Sequence, residues 1–220
     1  PLIVAPPAPA APAGEPPSPP LPALEDSDSL VRSEASALSF HKTFAAWLKQ
    51  DDLIARFAAA THILAQGQVP RDGLSALAPR KKFSILLGKN GVMTMDPRGY
   101  ARYDAVAEAI HSVDAALAAA LYRKLKPLVQ ETGRGLGEKE GDAQDSLVRA
   151  IDELLQAPAL EGDVLLKERK KGITYAFADE KLERLSPAQK QLLRMGPKNS
   201  TKIQAKLRDI KLTLNAPGIR

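Results

Sequence analysis

The sequence predicts a mainly α-helical fold, a compact bundle of about seven to nine helices with one or two small β-hairpins, behind a disordered Pro/Ala-rich stem. Three observations carry this. Beyond residue 23, apolar residues recur at helical spacing, in runs opened by cap-type residues and closed by Gly or Pro. Two short runs instead fold back around turn residues. Residues 1–22 hold ten of the 18 prolines, interleaved with alanine, a composition that favours extended polyproline II and has little to bury.

The elements follow in order. Asp26, Ser27 and Asp28 are cap-type residues ahead of Leu30 and Val31, so a short helix begins there. A second runs through Phe40, Phe44, Trp47 and Leu48. A third takes Asp51 as its cap, carries Leu53, Phe57, Ala60 and Leu64, and stops at Gly67 and Pro70. Residues 83–87 and 92–95 flank Gly88-Lys89-Asn90-Gly91, whose Asn-Gly pair tolerates the positive φ of a tight hairpin. Asp96-Pro97 opens a helix with Tyr103, Val106, Ala107 and Ile110 on one stripe. Asp114 caps the next, which carries Leu117, Leu121, Leu125 and Leu128, and is expected to kink at Pro127 for want of a backbone donor.

After a polar Gly-rich loop at 133–141, Asp142 caps a helix with Leu147, Val148, Ile151, Leu154 and Leu155. Residues 164–166 and 174–177 form a second hairpin around Lys170-Lys171-Gly172. Ser186-Pro187 starts a helix, and Gly196-Pro197 stops it and opens the last, striped by Ile203, Leu207, Ile210 and Leu214. Isolated hairpins are marginal in water, so the two are expected to pair into one sheet. Residues 23–220 read as one helical domain, or as two subdomains meeting near 133–141.

Charge is unevenly spread. Residues 165–220 hold 14 Lys/Arg against 5 Asp/Glu, whereas 23–164 are slightly acidic, and the whole chain carries +5. A basic C-terminal quarter suits an anionic partner. The absence of cysteine excludes disulfides, thiol catalysis and Cys-ligated zinc. No apolar run approaches the length of a membrane span. The chain starts at Pro1 without a Met, which reads as a processed or trimmed product.

Several strings in sequence order carry a family resemblance: Pro22-Ala23-Leu24-Glu25-Asp26-Ser27-Asp28, Asp51-Asp52-Leu53-Ile54-Ala55-Arg56-Phe57, Tyr100-Ala101-Arg102-Tyr103-Asp104, Leu121-Tyr122-Arg123, and Gln189 to Pro197 with its Leu-Leu-Arg-Met-Gly-Pro core. Together they resemble the bacterial family called domain of unknown function 3014, over essentially residues 22–215. Members typically carry an N-terminal membrane helix and then a Pro-rich linker. The resemblance therefore implies the extramembrane part of an anchored, periplasmic protein. It implies no activity and no functional residues.

No residue pattern marks a catalytic or metal site, and no cofactor is implied. His41, His62 and His111 form no ligand-type pair, and His62 reads as a hydrogen-bonded core or rim histidine. Glu138, Glu140, Asp142 and Asp145 lack the alternation of a calcium loop. Gly133, Gly135 and Gly137 lack the GK[ST] of a phosphate loop. Tyr100 and Tyr103 beside Arg98 and Arg102 read as one core and one rim tyrosine, with base stacking as the alternative.

The sharpest feature is a candidate anion site at the last helix junction: Arg194, Gly196, Lys198, Ser200, Thr201 and Lys202, with free amides, hydroxyls and cations at one helix start. The first functional reading is a non-catalytic, membrane-tethered envelope domain that binds a protein partner or an anionic envelope component. The second is a nucleic-acid-binding module using the basic C-terminal helices, and the third an enzyme whose site has no recognisable pattern.

Overall fold

The computed structural model describes residues 20–79, 81–139, 142–170 and 174–216. The stem as far as residue 19, Glu140, Gly141 and the turn at Lys171-Gly172 lie outside the described residues, and with them the cap assigned to Asp142. Among the described residues are nine α-helices and a four-stranded antiparallel sheet, so the fold is mainly α with two hairpins, as the sequence predicts.

Helices α1 (Asp28–Ala35), α2 (Lys42–Trp47) and α3 (Leu53–Ala65) come first. The cap of α3 is not Asp51. Asp52 stands at the N-cap in the left-handed region (φ 57°) and its side chain makes no capping bond. Asp28 of α1 supplies the acceptor instead: Oδ1 takes the Leu53 amide at 2.8 Å and Oδ2 the Asp52 amide at 2.9 Å. Arg32 completes the clamp, donating to the carbonyls of Leu48 and Gln50 at 2.9 Å each. Phe40 is also not part of the second apolar stripe. His41 Nδ1 accepts the Thr43 amide and starts α2 behind it, leaving Phe40 96% exposed.

The first hairpin pairs β1 (Ile85–Leu87) with β2 (Met93–Met95), with Ile85 opposite Met95. Asn90 (φ 66°) and Gly91 (φ 78°) supply the positive φ of its turn. Asp96 caps the next segment through the Arg98 amide, yet the first turns after Pro97 are 3₁₀, over Pro97–Tyr103, before α4 (Asp104–His111). Asp114 caps α5 (Ala115–Gly135) through the Leu117 amide, and α5 continues past Pro127 as one helix.

After α6 (Asp142–Leu155), β3 (Leu165–Lys170) and β4 (Thr174–Phe177) form the second hairpin. Pairs Met93–Leu166 and Thr94–Leu165 join the hairpins, giving strand order β1-β2-β3-β4. The short α7 (Glu180–Glu183) leads to α8 (Pro187–Arg194), held by a Ser186–Gln189 capping box, and then to α9 (Pro197–Asn215).

Two apolar clusters fill the interior. One, from α1, α3, α5, α6 and the end of α9, centres on Leu53, Ile54, Leu125 and Leu128. The other sits under the sheet, around Met95, Leu166, Phe177, Leu192 and Leu193. Helix α9 bridges them: Ile203 lies in the second, Leu214 in the first, and Leu207 packs on both. The clusters alternate along the chain, so a cut at 133–141 does not separate them. Leu21 already packs on the first cluster.

Candidate anion-binding site

At the α8–α9 junction the six candidate residues adjoin in sequence but turn to different neighbours. Gly196 adopts φ 89°, and a Cβ there would lie 2.3 Å from Cγ of the Tyr100 ring. Asn199 is buried, its amide nitrogen 3.0–3.1 Å from the Tyr100 carbonyl, Asp104 Oδ1 and the Met195 carbonyl. The Ser200 hydroxyl donates back to the carbonyls of Gly196 and Pro197. Arg194 faces the sheet, donating to the Tyr175 carbonyl at 3.1 Å and stacking over Phe177. Burial pushes the Arg194 guanidinium below its ordinary pKa, although Glu183 works the other way. Lys202 pairs with Glu108 of α4, whose carboxyl that bond holds below its usual range. Lys198 and Thr201 remain exposed.

A stronger concentration of cations lies elsewhere. A cleft of about 500 Å³ is lined by Lys81, Lys82, Ser84, Asp96, Arg98 and Arg102, among others. The chain entering β1 supplies the lysines; the 3₁₀ turn after β2 supplies the arginines. Among the described residues four cations thus face one carboxylate, and that carboxylate is engaged: Arg98 Nε and Nη2 grip Asp96 Oδ1 and Oδ2 at 3.0 and 3.2 Å. This contact holds the Asp96 carboxyl below its ordinary range. Close packing shapes the wall, since a Cβ on Gly99 would come within 2.7 Å of Ser84 Oγ.

Arg102 is held between two rings, its guanidinium carbon 5.1 Å from the Phe83 centroid and 4.8 Å from that of Tyr103. Its Nε is buried and has no partner among the described residues. Tyr103 is the core tyrosine, its hydroxyl taking a bond from Gln191, and Tyr100 is half-buried against Gly196. The sequence signals for the cleft were the cationic run Arg80-Lys81-Lys82 and the Arg98–Tyr103 segment; their apposition is a product of the first hairpin.

The other polar clusters fit structural roles. His62 Nδ1 lies 2.9 Å from Glu138 Oε1, and the Ser146 hydroxyl donates to the same oxygen. The serine therefore meets the carboxylate, not the imidazole, and at 2% exposure it is closed to a substrate. Among the described residues no group of three or more His, Asp or Glu side chains is placed to hold a metal.

A mostly helical fold with a small hairpin sheet and a cationic cleft defines a class by architecture alone. Within it, the chain belongs to the family of proteins of unknown function designated DUF3014, whose model matches residues 53–211. No curated protein and no solved structure matches the chain.

Proposed function

We propose that this chain is a non-catalytic binding domain, tethered at the periplasmic face of a bacterial inner membrane, that holds an anionic envelope component in the cleft of Lys81, Lys82, Arg98 and Arg102. One observation carries the binding reading: among the described residues Lys81, Lys82, Arg98 and Arg102 line one cleft whose carboxylate, Asp96, is already gripped by Arg98. Such a wall favours a multiply charged oxyanion, because Arg102 presents fixed donors and the lysines add mobile charge. The tethering rests on the family likeness and on the Pro/Ala-rich stem, a spacer by composition. Among the described residues no single helix is long and apolar enough to cross a membrane.

Co-sedimentation with vesicles tests the reading. The chain should pellet with phosphatidylglycerol-containing vesicles at low salt and not with neutral phosphatidylcholine vesicles. The Lys81→Glu/Lys82→Glu variant should lose most of that binding. Equal pelleting with both vesicle types, or full binding by the variant, would overturn it. Tight duplex-DNA binding with a steep negative salt slope and no vesicle binding would favour the nucleic-acid module instead.

A further inference from the structure

The two edges of the sheet are treated differently. Strand β4 closes one of them, and its outward backbone groups are taken by side chains: the Phe177 N–H donates to Glu183 Oε2 at 2.9 Å, and the Tyr175 carbonyl accepts from Arg194 at 3.1 Å. Strand β1 forms the other edge. On its β2 side the Asp96 N–H donates to the Ser84 carbonyl at 3.3 Å and the Gly88 N–H to the Val92 carbonyl at 2.7 Å, with Leu86 opposite Thr94 between them. Antiparallel pairing alternates, so the N–H and C=O groups of Ile85 and Leu87 point away from the sheet. Among the described residues no hydrogen bond reaches them.

The side chains along this edge are apolar and open. Leu87 is 72% exposed, Leu86 is exposed as well, and Leu86, Thr94 and the exposed Leu165 stand in one cross-strand row. Proteins usually blunt such an edge with a proline, a charge, a bulge or a cover. Ile85-Leu86-Leu87 carries no proline and no charge, and its register is unbroken. Charge sits at the two ends instead. Lys81 and Lys82 precede the strand and Lys89 follows it, all three exposed. That pattern disfavours a second copy of this chain: pairing β1 with itself about Leu86 would set each copy's Lys89 beside the other's Lys82, like charge against like. An extended segment with acidic ends meets opposite charge at both.

We infer that β1 takes an extended acidic segment of a partner protein as a fifth strand. The segment's backbone pairs with Ile85 and Leu87, its apolar middle covers Leu86 and Leu87, and its end carboxylates face Lys81, Lys82 and Lys89. The surface shares Lys81 and Lys82 with the cationic cleft, whereas Leu87 and Lys89 are outside the lining of that cleft.

The probe is a fluorescein-labelled, amidated peptide, Glu-Glu-Val-Ile-Val-Glu-Glu, titrated with the full chain at low salt and read by fluorescence polarisation. It should bind saturably, and Lys-Lys-Val-Ile-Val-Lys-Lys about tenfold more weakly or worse. Leu87→Pro removes one outward N–H and leaves the ladder to β2 whole, because proline is tolerated at an edge position of this kind. It should weaken the acidic peptide about tenfold, with melting temperature and vesicle pelleting unchanged. Lys89→Glu should weaken it about threefold, the scale of one exposed charge pair. N-methylating the three central residues of the peptide, which needs no change in the protein, should abolish binding. No saturable binding of the acidic peptide, or undiminished binding of its N-methylated form or by Leu87→Pro, would overturn the strand pairing. Equal affinity for the lysine peptide, or for the acidic peptide in Lys89→Glu, would overturn the acidic partner. Vesicle binding without peptide binding would remove this inference and leave the cleft reading standing.

Discussion

Single residues set the junction between the last two helices. Gly196 combines a positive φ with the Tyr100 ring standing where a Cβ would be, so no side chain fits without moving Tyr100. Gly196→Ala should therefore cost about 2–5 kcal/mol, the strain of a positive φ plus overpacking. Denaturant unfolding measures it, and combining the change with Tyr100→Ala should recover part of the loss. Full additivity of the two changes would show that the ring is not the obstacle. The sequence marks Gly196-Pro197 as a helix break, since both residue types punctuate locally. The Tyr100 contact is invisible there, because it joins segments distant in the chain. The same holds for Arg194 and Lys202, which look like neighbours of one anion but turn to Tyr175 and Glu108.

At the scale of elements, the helices were legible wherever a local device starts or stops them. Asp96, Asp114 and Ser186 each accept the amide that the pattern assigns to them. The Asn90-Gly91 turn appears where positive φ demands it. Capping in trans was not legible: Asp28 serves α3 from another helix, and nothing in the spacing of 28 and 53 announces it. Nor was the exposure of Phe40, since an apolar residue one position ahead of a cap mimics the helical stripe. Helix α9 is the element on which both apolar clusters depend. Leu207→Ala should destabilise by about 2–5 kcal/mol, because truncation leaves a gap beside each cluster. A loss below about 0.5 kcal/mol, the scale of surface changes, would mean that α9 is not docked at that point.

Across the whole molecule, counting charge in blocks of sequence misjudged where the free cations lie. Several lysines of the basic C-terminal quarter are spent on carboxylates: Lys190 on Glu183, Lys202 on Glu108 and Lys211 on Asp152. The cleft, which belongs to the slightly acidic middle of the sequence, has Lys81, Lys82 and Arg102 in its lining beyond the Arg98–Asp96 pair. These pairs also set the acid response. Arg98 lowers the Asp96 carboxyl and Lys202 lowers that of Glu108. For Glu183, burial opposes ionisation, but the Phe177 amide, Lys190 and Arg169 outweigh it. A carboxyl depressed in the folded state contributes stability that is fully present above its unfolded pKa, about 4, and is lost as pH falls through the folded value. The melting temperature should thus be level from about pH 8 to 5 and fall below about pH 4. Glu183→Gln should melt lower at neutral pH and fall less steeply on acidification; an unchanged slope would show that Glu183 does not contribute to the acid response.

The proposed function makes anion binding depend on the cleft of Lys81, Lys82, Arg98 and Arg102 and not on net charge or the α8–α9 junction. Salt elution from heparin compares three double variants that alter net charge equally: Lys81→Glu/Lys82→Glu in the cleft, Lys198→Glu/Lys202→Glu at the junction, and Lys42→Glu/Lys49→Glu on an unrelated surface. The cleft variant should elute at clearly lower salt than the other two. Elution of all three at the same salt, or earliest elution of the junction variant, would contradict it.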